Sequence, residues 1–382
     1  MKKYDYSLMA PGPVNLHPEV RKILSEPMIH HRTPEFDQVF SQVLKKMKLV
    51  FVTQEPVYLL TSTGSGGMEA LLVNTLSPGD KILCIVSGKF GERWSQMATS
   101  FGVQVDELVT PWGQAIDVNL VANKLAETKY AAVLTQACET STAVLHPIKA
   151  LGELVAKYDS TLFLVDGITA LGALPLPMDD WKIDGLVGGS QKAFMLPTGM
   201  SFFAFSKKAQ KRFDTAKIPK FYFDVRKEKK ANEAGETFFS SNVTIIKALN
   251  FVLSEIERKG LNTLFKENQR RSDFTFEILK LLGLKSYSQS PSASLTAIQM
   301  PEGVDGQKVR SDLEKDFNIT IMGGQDQAKG KIIRIGHMGY IQDHELLQLA
   351  DGLFEVLTKH NCKFKTDKKT YLDHLTLWLK EN

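Results

Sequence analysis

Two kinds of apolar pattern alternate over the first 205 residues of the chain. Short continuous apolar runs are typical of strands buried on both faces, and they lie between stretches in which apolar residues recur every three or four positions. The runs predict seven strands, over residues 56–60, 81–87, 103–109, 130–136, 161–166, 184–191 and 200–205. The periodic stretches predict helices over residues 34–52, 117–127 and 148–158, a helix that ends at residue 76 and another that opens at residues 88–91. This alternation predicts an α/β fold with a mostly parallel sheet that is covered on both faces.

The pattern changes after residue 206. Residues 207–243 are irregular, basic and aromatic, and helices over 244–258 and 260–282 then lead to a second, smaller α+β domain. We divide the chain into an N-terminal arm (1–20), a large domain (21–258) and a small C-terminal domain (259–382) that ends in a helical extension. The apolar stripe of residues 367–380 is short, so we expect that helix to dock on the protein body and not on a membrane.

The composition is that of a globular protein and excludes several classes of function. The 382 residues are 43% hydrophobic and 24% charged, and the net charge of +4 gives no basis for a nucleic-acid partner. Cys84, Cys138 and Cys362 form no Cys-x-x-Cys pair, which favours a reducing compartment over disulfides or structural zinc. We find no signal peptide and no apolar run near the ~20 residues that span a bilayer. We therefore expect a cytoplasmic protein that binds no membrane.

One lysine and one aspartate follow apolar strands of the predicted sheet. Lys192 comes after Gly188-Gly189-Ser190-Gln191, and Asp166 ends the run 161–166. Taken alone, each is more often a solvated side chain in a loop between strand and helix. The carboxyl ends of parallel strands meet at one edge, however, and ligands bind there. Thr63, Phe90 and Ser141 also follow strands, so all five are expected to converge.

The predicted strand 56–60 runs into the stretch Thr61–Ala70, a loop rich in glycine, serine and threonine that leads into a helix. Such a loop can hold a phosphate with backbone N–H groups and the helix N-terminus, although it is neither Gly-x-Gly-x-x-Gly nor a Walker A motif. An amine, an anion, a phosphate site and a flat ring are what pyridoxal phosphate requires. We interpret Lys192 as its Schiff-base lysine, Asp166 as the partner of the ring nitrogen, Thr63, Gly64 and Ser65 as the phosphate cradle, and Phe90 as the stacking ring. The adjacent His30-His31 pair has no suitably spaced acidic partner, and we expect no metal site.

Six motifs occur in one order: Pro11–Asn15, Thr63–Ala70, Glu139–Thr142, Leu164–Ile168, Gly189–Lys192 and Ile333–Gly336. Together they resemble the class V, fold-type I pyridoxal-phosphate aminotransferases, and within them the alanine–glyoxylate and serine–pyruvate group. The resemblance extends to about residue 360 and leaves the C-terminal extension unmatched. It implies a homodimer with shared active sites.

The resemblance also implies roles for individual residues. Thr140 and Ser141 would lie on the phenolic side of the cofactor ring, Ile168 would face Phe90 across it, and Gln191 would join the phosphate site. Arg334 would bind the substrate α-carboxylate, and the backbone of Gly12 would border the substrate. Thr237 and Ser240 would reach the phosphate in the partner subunit. The Phe239-Ser240 pair departs from the family's more usual Tyr-Thr.

The expected reaction is transamination between a small amino acid, alanine or serine, and a small 2-oxo acid, glyoxylate or pyruvate. We see no second arginine placed for a side-chain carboxylate, although Arg93, Arg226 or His337 could approach the site. Alternatives are an aminotransferase for an acidic donor such as aspartate, a lyase or cysteine desulfurase, and a catalytically silent binding protein. Cys362 lies past Arg334 near the tail and position 90 is phenylalanine, not histidine, so a desulfurase is disfavoured.

Overall fold

The computed structural model describes residues 4–382, so the first three residues of the predicted arm lie outside the described range. Its helices are α1 (Pro18–Leu24), α2 (Pro34–Phe51), α3 (Gly64–Thr75), α4 (Lys89–Ser100), α5 (Val118–Glu127), α6 (Ile148–Val155), α7 (Lys207–Gln210), α8 (Val225–Glu233), α9 (Val243–Lys259), α10 (Leu261–Leu282), α11 (Gly306–Phe317), α12 (Asp343–Lys359) and α13 (Lys368–Glu381). Its strands are β1 (Ser7–Leu8), β2 (Val57–Leu60), β3 (Lys81–Val86), β4 (Gln104–Val109), β5 (Ala132–Gln136), β6 (Cys138–Glu139), β7 (Val144–Leu145), β8 (Leu162–Asp166), β9 (Gly185–Gly189), β10 (Ser201–Phe205), β11 (Lys285–Ser286), β12 (Leu295–Gln299), β13 (Ile319–Thr320), β14 (Met322–Gly323) and β15 (Ile332–Gly336). A short 3-10 helix, Asp326–Ala328, lies between β14 and β15.

The larger sheet has seven strands in the order β2-β10-β9-β8-β5-β3-β4. Only β10 runs antiparallel to its neighbours in this sheet. The prediction of a mostly parallel sheet is therefore confirmed. Because β2, β3, β5, β8 and β9 run in one direction, the residues that follow them lie at the same edge.

Apolar clusters cover the two faces of this sheet. On one face, Phe40 and Met47 of α2 join the cluster that contains Phe163 of β8. On the other, Met68 of α3 and Trp94 of α4 are fully buried. Burying one such side chain contributes about 1.5–3 kcal/mol, so these helices are fixed on the sheet by their apolar stripes.

The smaller sheet is antiparallel, in the order β11-β12-β15-β14. The C-terminal helix α13 buries Tyr371, Leu375 and Leu379 in the apolar cluster beside this sheet. The predicted docking of the tail on the body is therefore confirmed. Within the described range, no helix combines the length and the apolarity needed to cross a bilayer.

The N-terminal arm also joins the smaller sheet's side of the molecule. Its strand β1 pairs in parallel with β13, and Met9 accepts a hydrogen bond from the N–H of Gly336 at 2.7 Å. The arm therefore runs directly over the end of β15.

Region 207–243 differs from its predicted irregular form because it contains α7 and the nine-residue helix α8. In α8, only Val225 and Glu228 are buried. The helix therefore lacks an apolar stripe that a periodicity search could detect. Its N-terminus is instead defined by Asp224, whose carboxylate accepts the N–H of Arg226.

Candidate active site

A cleft of about 260 Å³ lies at the carboxyl edge of the larger sheet. It brings together eight of the residues that the sequence predicts to contact a cofactor. The lining residues are Thr63, Gly64, Ser65, Phe90, Arg93, Asp166, Ile168, Thr169, Gln191, Lys192 and Thr198. They follow β2, β3, β8 and β9, which explains how residues far apart in the chain meet here.

Lys192 is buried, and its Nζ donates a hydrogen bond to the carbonyl of Pro11 at 2.6 Å. Gly12 follows with φ of 128°, and a Cβ at this position would lie 2.4 Å from Nζ. Only glycine therefore allows the arm to pass so closely over the amine. Burial lowers the pKa of Lys192 to about 8, so this amine loses its proton more easily than an exposed lysine.

Asp166 is the second buried ionisable group of the cleft. Its Oδ1 accepts the N–H of Ile168 at 2.8 Å, which fixes the orientation of the carboxylate. Burial raises its pKa to about 6. A cation beside it would favour the ionised form, so the cleft is suited to a positively charged group at this point.

Thr63, Gly64 and Ser65 lie at the N-terminus of α3, and the Thr63 side chain makes no capping hydrogen bond there. The first N–H groups of such a helix attract anions. On the cleft side, Nη1 of Arg93 donates to Oγ of Ser65 at 3.0 Å. The Arg93 guanidinium also lies 4.9 Å from the centre of the Phe90 ring. This end of the cleft is therefore the one that suits an anion.

Arg334 lies on β15 of the smaller sheet and is also buried. Its Nε and Nη2 donate to the carbonyl of Gly323 at 3.0 and 2.9 Å, and its Nη1 donates to the carbonyl of Thr140 at 2.9 Å. A guanidinium has five N–H groups, so two remain for a further acceptor. Burial lowers the pKa of Arg334 to about 10, but this value is still well above neutral pH, so the side chain stays charged.

Thr140 and Ser141 do not line the cleft, unlike the other residues predicted on the cofactor ring. The Thr140 hydroxyl donates to that of Thr169, which does line the cleft, at 2.7 Å. The Ser141 hydroxyl donates to Oε1 of Glu139 and accepts the N–H of Lys89. Its only proton is therefore directed away from a cofactor.

Glu139 has a role that sequence reasoning missed. Its fully buried carboxylate accepts the N–H groups of Phe90 and Gly91 and both the N–H and the hydroxyl of Ser141. It thereby joins the start of α4 to the loop after β5. The sequence places Glu139 in the motif Glu139–Thr142, but that motif does not predict which groups its carboxylate binds. Thr169 and Thr198 were also missed, since neither stands directly after a strand.

Other candidates lie outside the cleft. Thr237 is buried, with its hydroxyl donating to the carbonyl of Phe239, and Ser240 is exposed. Arg226 is paired with Asp224. His337 is fully buried and bonded to Thr296. Cys362 packs in the apolar cluster beside the smaller sheet.

The sequence of this chain, compared with known families, matches the model described as aminotransferase class-V over residues 18–349. The chain belongs to this family. It is an α/β, pyridoxal-phosphate-dependent aminotransferase, as the resemblance of its motifs implied.

Class V relatives match over most of their length. The chain is 36% identical to a protein of Anabaena cylindrica named soluble hydrogenase 42 kDa subunit, over 92% of each chain. It is 35% identical to the L-aspartate–glyoxylate aminotransferase of Paracoccus denitrificans, over 88% of this chain and 87% of that one. A solved structure of a subgroup IV aspartate aminotransferase from Thermus thermophilus matches with a TM-score of 0.87 and 31% identity, covering 93% of this chain and 99% of that one.

The residues of this class V chain fit pyridoxal phosphate. The cleft offers an amine in Lys192, an oriented carboxylate in Asp166 and the start of a helix whose Thr63 side chain makes no capping hydrogen bond. The buried amide oxygen of Gln191 has no hydrogen-bond partner among the described residues, so that side chain retains capacity for a bound group. Buried charges are costly unless they are paired, which a bound cofactor would achieve.

Proposed function

We propose that this enzyme transfers an amino group between a small amino acid, alanine or serine, and a small 2-oxo acid, glyoxylate or pyruvate. The main observation that supports this proposal is that Lys192 and Asp166, both buried, line one cleft beside the N-terminus of α3. The Paracoccus enzyme is named for L-aspartate and glyoxylate, so the similarity supports that acceptor and leaves aspartate as the alternative donor.

In this proposal cofactor binding and proton transfer are assigned to named side chains. Lys192 would be the amine that holds the cofactor, and when it is not attached its Nζ would take the substrate Cα proton as general base and return a proton later. Asp166 keeps a proton at the ring nitrogen. When bound, pyridoxal phosphate supplies an electron sink for the substrate Cα. Thr63, Gly64, Ser65 and Gln191 hold the phosphate.

Arg334 and the aromatic and apolar walls orient the reactants. The two free N–H groups of Arg334 bind the α-carboxylate, which is a task suited to a guanidinium. Phe90 and Ile168 enclose the ring from opposite faces, and the backbone at Gly12 borders the substrate. Since Ser141 donates to Glu139 and Thr140 donates to Thr169, we assign the hydroxyl of Thr169, which lines the cleft, to the phenolic side, with Thr140 orienting it.

Half-reactions test the donor class. The holoenzyme is mixed with alanine, serine or aspartate, and conversion to the amine form of the cofactor is followed by absorbance. We expect alanine or serine to react fastest and glyoxylate to reverse the change. Fast conversion by aspartate alone contradicts the proposed donor class, and no conversion by any amino acid contradicts the function.

Aspartate is the second candidate donor, and Arg93 is the observation that favours it. Besides Lys192, it is the cation among the cleft's lining residues, all of which lie in the described part of the chain. We rank it second because its guanidinium already contacts Ser65 and Phe90 on the phosphate side. The variant Arg93→Met separates the roles: loss for aspartate but not alanine indicates side-chain recognition, whereas weaker cofactor binding indicates a phosphate contact.

We also propose that a second copy of the chain completes the site with its Thr237 and Ser240. Neither residue lines the cleft of its own chain, and the nearby rings of Phe221 and Phe238 are exposed by 70% and 42%. Light scattering tests the dimer. In a mixture of Lys192→Ala and Ser240→Ala chains, the heterodimers would contain one unaltered site, so recovered cofactor binding supports the assignment of Ser240.

A further inference from the structure

Lys89 makes a charged contact between the two sheets of the molecule. Its Nζ lies 2.7 Å from Oδ2 of Asp326 and 2.9 Å from Oε2 of Glu92. Glu92 lies on α4, beside the larger sheet, whereas Asp326 lies in the 3-10 helix between β14 and β15 of the smaller one. Hydrogen bonding to Asp326, and then to Glu92, raises the pKa of Lys89, so its side chain is charged at neutral pH.

Both ends of this contact adjoin groups of the site. The N–H of Lys89 donates to the Ser141 hydroxyl, and the next residue is Phe90. Asp326 follows Gly323 by three residues, and the Gly323 carbonyl accepts two hydrogen bonds from Arg334. The Lys89 ammonium therefore links the start of α4 to the turn that follows β14, the strand whose last residue, Gly323, accepts from Arg334.

The backbone at Asp326 indicates that this loop is held in place by its surroundings. Asp326 has φ of 43°, in the left-handed region that residues other than glycine seldom adopt. Such a conformation persists where neighbouring groups stabilise it. The Lys89 ammonium, at 2.7 Å, is the charged group that contacts this side chain.

We propose that Lys89 is a positioning residue for the substrate carboxylate. Its contact with Asp326 holds the turn after β14 against α4, and the carbonyl of Gly323 at the end of β14 in turn orients Arg334. This inference rests on the proposed role of Arg334. It differs from an ordinary surface ion pair, which would contribute little to stability and nothing to substrate binding.

The test compares Lys89→Met, Asp326→Asn and the double variant with Lys89→Arg, which keeps the charge. Lys369→Met, which removes another short ion pair (Lys369 with Asp373, 2.6 Å, on the tail helix), is the matched control.

Donor KM, kcat, cofactor affinity and thermal midpoint are measured for each holoenzyme. We expect KM to rise about three- to tenfold in both single variants and no further in the double variant, because contacting residues are energetically coupled. The values of kcat and cofactor affinity should stay within about twofold, and Lys89→Arg should retain most of the native KM.

Each other result overturns the inference. If KM is unchanged in Lys89→Met, the contact is an ordinary ion pair. If the increases in KM add in the double variant, Lys89 and Asp326 act independently. If cofactor affinity falls, Lys89 acts on cofactor binding through Phe90 instead. An Arg334→Lys variant is measured in parallel. If it raises KM while the Lys89 variants do not, only this inference fails; if neither does, the proposed role of Arg334 fails as well.

Discussion

Lys192 and Asp166 lie at the carboxyl ends of neighbouring strands of the larger sheet. Arg334 instead lies within a strand of the smaller sheet and is oriented by the carbonyl of Gly323 in β14 and by that of Thr140 in the loop between β6 and β7. The first pair is positioned by β-sheet geometry that involves few other residues. The position of Arg334 depends instead on contacts between distant segments, such as its hydrogen bond to Thr140, which is 194 residues away in the chain. Substitutions on the two sides should therefore fail in different ways, with loss of cofactor chemistry on one and loss of substrate binding on the other.

The largest effect is expected for Lys192→Ala. Removing the amine that binds the cofactor and moves the Cα proton should lower activity by about a thousandfold or more. The visible absorbance of bound cofactor should disappear as well. Exposed Lys124 on α5 provides the control, since Lys124→Ala should leave both unchanged. A full absorbance band in Lys192→Ala would remove the basis for the proposed site.

Asp166→Asn comes next and keeps the shape of the side chain while removing its charge. We expect kcat to fall by about a hundredfold, since one oriented electrostatic partner is commonly worth that much. Cofactor should still bind, and its absorbance should shift because the ring nitrogen loses its anionic partner. If Asp166→Asn has the native kcat and Asp166→Glu has a lower one, catalysis depends on the shape of this side chain and not on its charge.

Arg334→Lys examines the substrate side. A lysine keeps the charge but cannot reproduce the planar set of donors, so KM for donor and acceptor should rise about ten- to a hundredfold. Cofactor affinity, measured by equilibrium dialysis, should not change. Because Arg334 is buried, the thermal midpoint is measured too. If Arg334→Lys lost cofactor while KM stayed unchanged, Arg334 would belong to the cofactor site and not to the substrate site.

The smallest expected effect is a pH dependence of cofactor capture. The neutral amine reacts, and burial lowers the pKa of Lys192 to about 8. The rate at which cofactor-free enzyme attaches the cofactor should thus rise about tenfold per pH unit below 8 and level off above it. Free lysine as a control should keep rising toward its pKa of about 10.4. An enzyme profile like that of free lysine would show that burial does not tune this amine.

The larger sheet and the residues expected to contact the cofactor could be predicted from the sequence, and the reason is physical. Apolar runs locate parallel strands, and parallel strands bring the residues after them, such as Asp166 and Lys192, to one edge. No comparable rule predicts that Glu139 binds the N–H groups of Phe90 and Gly91, or that Lys89 contacts Asp326. Those contacts depend on how loops from different segments fold over the edge. Helix α8 was missed for a related reason, because its sequence is almost wholly polar.

The path of the N-terminal arm links cofactor loading to the chain terminus. The same short segment pairs with β13, accepts the N–H of Gly336 beside Arg334, and accepts the hydrogen bond of Lys192 through Pro11. Attaching a cofactor to Lys192 removes that last contact from the free amine. Amide hydrogen exchange over residues 7–12 should thus report whether the enzyme is loaded.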